Sequence, residues 1–281
     1  MDASVVIPTR NRPDSLKRCL SALAVQRTGW EFEVIVVDDA APPQIDLADV
    51  SLCKRARVVR SGGVGPALAR NHGITEASSP IVLFTDDDTA PSPDWVETAC
   101  AYLAARKESV GVEGPIVSPP YDPLYERSIH NDLPGAYWTC NIAYRRQALI
   151  ELGGFADVFP WAHAEDLDLG FRARRLGTIG FADEMVVTHY PSTVSLGQDL
   201  KRARYAASDM VLYRRHPERF ACRIPFMLLP AVTRLRVMKN LLRDERAAMV
   251  GSPRRLVRFS ITVIGTTAIA LWHTCIPQAR P

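Results

Sequence analysis

From Ser4 onward the chain alternates short, almost unbroken apolar runs with longer stretches whose apolar residues recur every three or four positions. The runs are SVVIPT (4–9), EVIVVDD (33–39), ARVVRS (56–61) and PIVLFTD (80–86); DSLKRCLSALAVQ (14–26) and GPALARNHGITEA (65–77) have the helical pattern. Strands apolar on both faces are strands covered on both faces, and their alternation with helices predicts an α/β architecture of parallel strands joined by crossover helices. In the first helix Asp14, after Pro13, serves as an N-cap or first-turn acid. Leu16, Leu20, Leu23 and Ala24 form the apolar stripe expected to lie on the sheet.

Beyond residue 110 the pattern loosens. VEGPIVSPPYDPLYE is rich in Pro and Gly, NIAYRRQALIELGG (141–154) reads as a helix closing on a glycine pair suited to a C-cap, and WAHAEDLDLGFRARRL (161–176) reads as a helix that begins with acids. After His189 and Pro191 the chain becomes basic and helical through KRARYAASDMVLYRRHPERF, and it closes on the apolar FSITVIGTTAIALWHTCI (259–276). Repeats at solenoid periods are absent from the sequence.

Charge sharpens this division. The formal charge of +3 conceals 18 Lys and Arg against 27 Asp and Glu in residues 1–200, a balance of −9, and 15 against 4 in residues 201–260, a balance of +11. Six scattered cysteines without C-x-x-C spacing disfavour a structural zinc site or a disulfide framework, and MDASVVIPTR lacks the regions of a signal peptide. A reducing, cytoplasmic setting follows as the simplest expectation.

The strands end in polar signatures: PTRN, DDA, SGG and DDD. In open α/β sheets ligands bind outside the carboxyl ends of strands, so these four exits are expected to converge on one crevice. Three adjacent carboxylates, Asp86, Asp87 and Asp88, repel one another unless water, donors or a cation compensates them. An Asx-rich turn ahead of a helix near Pro93 is the structural alternative.

Six ordered motifs, SVVIPTRNR, VIVVDDA, GPALARNHGI, LFTDDDTAPSPDW, NIAYRRQALIELGGF and AEDLDLGFRARRLG, resemble the family 2 glycosyltransferases of the GT-A fold over about residues 3–190. The resemblance implies a mixed, mostly parallel sheet flanked by helices, and inverting transfer of a sugar from a nucleoside-diphosphate sugar to a hydroxyl acceptor. It implies a catalytic domain over 1–195, with a nucleotide-sugar half to about residue 95 and an acceptor half from about 96; the basic helical region over 196–281, read from its charge and apolar pattern, departs from a minimal domain of that family. A divalent cation, Mg²⁺ or Mn²⁺, would be held by Asp88 with Asp86 and His189, and Asp86 or Asp87 would also accept from the donor's ribose. Pro8, Thr9, Arg10, Asp39 and Arg70 complete the donor site in this reading. Asp39 would read the base, a role that suits uracil or thymine although guanine also offers donors, while one of Asp38 and Asp39 is expected to be a buried acid satisfied by backbone N–H groups. Asp166 matches the family's general base, with Glu165 beside it. Asp168 and Arg172 have the spacing of a surface ion pair. Trp138 and Trp161 have faces that stack on an acceptor ring, with core packing as the ordinary alternative, and His163 is a candidate acceptor contact.

Two other functions remain open in the sequence. A sugar-nucleotide nucleotidyltransferase would carry a G-x-G-T-R loop where SVVIPTRNR stands, and a catalytically inactive nucleotide-sugar-binding module would have lost its acids. The basic tail accompanies no nucleic-acid recognition motif, so no nucleic-acid partner is expected. Lys201, Arg202, Arg204, Arg214, Arg215, Arg234, Arg236, Lys239, Arg254, Arg255 and Arg258, mixed with apolar segments, suit peripheral contact with the anionic cytoplasmic face of a membrane. Alternatively, Ile261, Ile264, Ala268, Leu271 and Cys275 pack a helix back on the protein.

Overall fold

The computed structural model describes residues 1–46 and 48–220, together with helical positions 257, 261, 264, 265, 267 and 268. The four apolar runs form β1 (Ala3–Thr9), β2 (Phe32–Asp38), β3 (Ala56–Arg60) and β4 (Ile81–Phe84), and the helical patterns between them form α1 (Pro13–Ala24) and α2 (Pro66–Glu76). Then follow β5 (Thr89–Pro91), α3 (Trp95–Ala105), β6 (Ser109–Glu113), β7 (Ile116–Val117), β8 (Glu126–Arg127), β9 (Ile142–Arg145), α4 (Arg146–Glu151), α5 (Glu165–Ala173), β10 (Thr178–Phe181), β11 (Val187–His189), β12 (Ser192–Thr193), α6 (Leu196–Arg202) and α7 (Ala206–Arg215). These elements belong to two compact units. The first takes Met1–Pro119, Ser128–Asp157 and Glu165–Tyr190; the second takes Pro120–Arg127, Val158–Ala164 and the chain from Pro191.

In the first unit seven strands run in the order β10-β6-β9-β4-β1-β2-β3. β1 pairs in parallel with β2 and β4, β2 with β3, and β6 with β10. β9 is antiparallel to both its neighbours, β4 and β6. The helix expected over 141–154 is therefore divided: Ile142–Arg145 is a strand and only Arg146–Glu151 is helical. Ile142, Ala143 and Tyr144 are buried on a sheet that hydrogen-bonds them from both sides, and this outweighs the local helical pattern and leaves a helix six residues long. The glycine pair does close α4: Gly153 and Gly154 have φ of +70° and +68°, and their N–H groups donate to the Ile150 and Leu149 carbonyls.

Strand alternation loads both faces of the sheet. Val5 and Ile7 face α1 and α3, in a cluster with Leu16, Cys19, Leu20, Leu23, Trp95 and Leu103, whereas Val6 joins Ile35, Val37, Ala69, Ile74, Leu169 and Phe84 on the opposite side. In α1 it is Cys19, not the exposed Ala24, that completes the buried stripe. Gly73 lets α2 lie close to β1, since a Cβ there would sit 2.3 Å from Val6 Cγ1. A second sheet, β5-β11-β7, aligns His189 opposite Thr89 in an antiparallel pair.

In the second unit β8 and β12 pair antiparallel, and Ser195 with Gln198 forms a capping box at the start of α6. The buried Asp199 accepts from Arg127 Nη2 at 2.9 Å. Among the described residues no helix is long and apolar enough to cross a membrane. Val257, Ile261, Ile264 and Ala268 are exposed helical positions. Most of 259–276, and Arg234, Arg236, Lys239, Arg254, Arg255 and Arg258, lie outside the described residues.

Candidate active site

Three of the four strand exits meet at one cavity of about 350 Å³. It is lined by Pro8, Thr9, Arg10 and Arg12 after β1, Asp39 after β2, Asp86, Asp87 and Asp88 after β4, Pro66 and Arg70 of α2, and His189 of β11. The fourth exit, the 61–65 loop, holds Asp39 in place. Asp39 Oδ1 accepts from Ser61 Oγ at 2.6 Å and from the Gly63 and Val64 N–H groups at 3.0 and 2.8 Å, while Oδ2 accepts from Gly65 N–H at 2.9 Å. Positive φ at Gly62, Gly63 and Gly65 turns these N–H groups onto one carboxylate. Asp38 is the fully buried structural acid that the sequence reading anticipated, accepting from the N–H groups of Ala40, Gln44 and Ile45.

The three carboxylates after β4 are compensated by arginines from two other elements. Arg70, buried in α2, donates from Nη2 to Asp86 Oδ1 at 2.7 Å, with Nη1 3.6 Å from Glu165 Oε1 at the start of α5. Arg12 Nη1 donates to Asp87 Oδ1 at 3.2 Å and to Asp88 Oδ2 at 2.9 Å, and Thr9 Oγ1 donates to Asp87 Oδ2 at 2.8 Å. Burial pushes Asp87 up to about 6, against the opposing pull of Arg12 and the Thr9 hydroxyl.

Asp88 has two faces. Oδ2 is taken by Arg12, whereas Oδ1 lies 3.6 Å from His189 Nε2. The pair is set by β-sheet register, because His189 lies opposite Thr89 and Tyr190 N–H donates to the Asp88 carbonyl at 3.0 Å. Ser128 fixes the imidazole. Its hydroxyl donates to the His189 carbonyl at 2.9 Å, leaving the oxygen to accept from Nδ1 at 3.2 Å. The Nδ1–H tautomer then turns the Nε2 lone pair toward a carboxylate oxygen, and two acceptors facing one another are complementary to a cation. No group of three His, Cys, Asp or Glu among the described residues could hold a metal ion by itself. A donor set of one carboxylate and one imidazole, next to further carboxylates, instead suits an ion that takes its remaining ligands from phosphate and water.

α5 brings the other acids. Glu165 is buried, with Oε2 lacking any hydrogen-bond partner, and Asp166 Oδ1 accepts from the Leu167 N–H. Neither lines the cavity; Glu165 reaches it through Arg70. Asp168 and Arg172 form a buried clamp instead of the expected surface pair. Asp168 has no exposure, and Arg172 Nη1 and Nη2 donate to the Leu152 and Gly154 carbonyls at 2.9 and 2.8 Å. Asn71 makes a second clamp, giving Nδ2 to the Phe155 carbonyl and accepting the Phe155 N–H.

None of the candidate acceptor residues is among those lining the cavity. Trp138 is half-buried in the first unit and outside the cavity lining. Trp161 and His163 belong to the second unit, where Arg204 covers the Trp161 ring at 3.8 Å and His163 stacks on Tyr205 and bonds Asp209. Sequence reasoning missed Arg12 and Ser128. Arg12 stands within SVVIPTRNR two residues after Arg10, and the two arginines meet different acids, Arg10 Nη1 lying 4.0 Å from Asp39 Oδ2 while Arg12 takes Asp87 and Asp88; Ser128 carries no sequence signal.

Comparison with known proteins identifies relatives in sequence and in fold. The chain is 29% identical over 244 residues to the pre-mycofactocin glycosyltransferase of Mycobacterium tuberculosis, a match covering 78% of this chain and 49% of that protein, so it spans about half that relative's length. In fold it resembles the mannosyltransferase PcManGT from Pyrobaculum calidifontis, solved in complex with GDP-Man and Mn²⁺ (TM-score 0.59, 17% identity, 96% of this chain and 87% of that one). It likewise resembles residues 1–349 of S. aureus TarS, solved in complex with UDP-GlcNAc (TM-score 0.55, 17% identity, 96% and 90%). Residues 4–159, more than half of the chain, match the family described as Glycosyl transferase family 2, and the chain belongs to that family.

Proposed function

We propose that the protein is a metal-dependent, inverting glycosyltransferase that moves a sugar from a nucleoside-diphosphate sugar to a hydroxyl acceptor. The observation that carries this reading is the cavity itself, where the carboxylates after β4, three arginines and the outward Nε2 of His189 face one space. Asp88 and His189 would hold the cation, Mn²⁺ or Mg²⁺, with Asp86 beside them. When bound, it supplies positive charge to the leaving diphosphate.

The remaining roles fall to the chain's own groups. Arg70 is pinned by Asp86 and Glu165 and orients the acids around the donor. Asp39 Oδ1 takes three donors, whereas Oδ2 takes one and has Arg10 Nη1 4.0 Å away. Oδ2 is the oxygen with room for a base N–H, and one such position suits the imide N–H of uracil or thymine better than the paired donors of guanine. Thr9 and Asp87 are mutually satisfied and shape the wall under the ribose. Asp166 removes the acceptor's proton as the sugar is attacked from the side opposite the diphosphate, in a single displacement, and Glu165 holds Arg70 in position. The acceptor is a glycan, a lipid-linked sugar or a small molecule carrying a hydroxyl.

Peripheral membrane contact is supported by the exposed apolar positions Val257, Ile261, Ile264 and Ala268, whose spacing along the sequence is that of one amphipathic face. Removal of residues 255–281 should release the protein from a membrane fraction, and retention there would end that part of the reading. The enzyme itself is tested by release of nucleoside diphosphate from a panel of nucleotide sugars with Mn²⁺. Asp166→Asn should bind UDP normally and lose transfer by about 10²–10⁴-fold. Full transfer by that variant would remove Asp166 from the role of base.

A further inference from the structure

The two arginines that face the acidic strand exit are held differently. Arg70 has a side chain 7% exposed and lies between Asp86 and Glu165, whereas the Arg12 side chain is 54% exposed and touches Asp87 and Asp88 through a single nitrogen, Nη1. Arg70 is a fixed part of the wall. Arg12 stands at the mouth, at the N-cap of α1, on a long side chain more than half exposed to solvent.

The charge balance gives Arg12 a reason to move. Four carboxylates, Asp86, Asp87, Asp88 and Glu165, against Arg12 and Arg70 leave two negative charges around the strand exit. A divalent cation taken up by Asp88 cancels them, competes with Arg12 for that carboxylate and adds repulsion between the two cations. A guanidinium stays protonated at any working pH, so Arg12 must then find another anion. A diphosphate presents oxygens spaced for its planar fork, in the cavity that Arg12 already lines.

We propose that Arg12 exchanges partners, holding Asp87 and Asp88 in the free protein and moving to the donor's diphosphate when a divalent cation takes Asp88. The inference rests on the donor and cation assignment above and adds to it a coupling residue. In the free protein Arg12 competes with the cation, and in the loaded protein it joins the diphosphate, so cation and nucleotide each raise the other's affinity.

Binding measurements on the 281-residue chain test the exchange, with MnCl₂ followed by electron paramagnetic resonance and UDP or GDP by calorimetry. In Arg12→Met, Mn²⁺ alone should bind roughly tenfold more tightly than in the wild type, because a unit charge a few ångströms from a divalent ion has been removed. UDP at saturating Mn²⁺ should bind roughly tenfold more weakly, for loss of a charge-assisted contact. The factor by which UDP strengthens Mn²⁺ binding should collapse accordingly, while uridine, which lacks phosphate, should produce no such coupling in either protein. If Arg12→Met does not fold, Arg12→Gln is read in the same way. Mn²⁺ affinity unchanged or weakened in the variant without nucleotide overturns the exchange, as does UDP affinity equal to that of the wild type. A wild-type protein that binds neither UDP nor GDP with Mn²⁺ instead overturns the donor assignment on which the inference stands.

Discussion

Replacing Asp87 with Asn should stabilise the ligand-free protein at neutral pH while damaging its site. Burial lifts the Asp87 carboxyl from an ordinary 3.8 to about 6, and neither Arg12 nor Thr9 fully offsets the desolvation. Between these values the native chain holds a proton that the unfolded chain has released. This group therefore places no penalty on folding below pH 3.8, and stability falls as pH rises toward 6 and levels off above it. A shift of about two pKa units corresponds to about 3 kcal/mol at pH 7.5. Asn has the shape of the neutral carboxyl and keeps an oxygen for Arg12, but its amide forces the Thr9 hydroxyl to accept instead of donate. A net gain of about 1–3 kcal/mol remains. Urea denaturation of both proteins at pH 4 and pH 7.5 measures it, with a gain that is small at pH 4 and large at pH 7.5. Equal differences at the two pH values, or a less stable Asn variant at pH 7.5, would refute the electrostatic reasoning.

Other variants probe the supports of the site. In Gly170→Ala the new Cβ would lie 2.3 Å from the Tyr137 ring, whose backbone is held by Glu113, so thermal unfolding should show a loss of about 1–3 kcal/mol. Ser128→Ala releases the imidazole tautomer and should weaken Mn²⁺ binding in the presence of UDP by about tenfold, with Ser128→Thr restoring it; equal affinity in all three proteins would exclude this role. Asn71→Ala breaks the two-way bond to Phe155 and leaves a buried N–H and carbonyl without partners, so chemical denaturation should register a loss of about 1–3 kcal/mol. Glu113→Gln offers one acceptor oxygen where Gly135 and Tyr137 N–H groups now find two, and hydrogen exchange should quicken first at residues 135–137.

Local pattern determined the elements that are self-sufficient. Apolar runs covered on both faces had to be strands, the stripe of α1 had to meet them, and the polar exits at Thr9, Asp39 and Asp86 had to emerge at one edge, because parallel strands place their carboxyl ends together. The paired glycines likewise dictated the end of α4, since only a residue tolerant of positive φ closes a helix in that way. Contacts between distant segments carry no such local signature. Ile142–Arg145 became a strand because β4 and β6 both offered it hydrogen bonds. His189 reached Asp88 through a three-residue antiparallel register. Arg12 turned to Asp87 and Asp88 while Arg10 turned to Asp39, and the 168–172 pair was buried by the turn folded over it. Sequence spacing fixes which side chains share a face, but the partner across a gap of a hundred residues is chosen by packing, and here packing decided which charges meet.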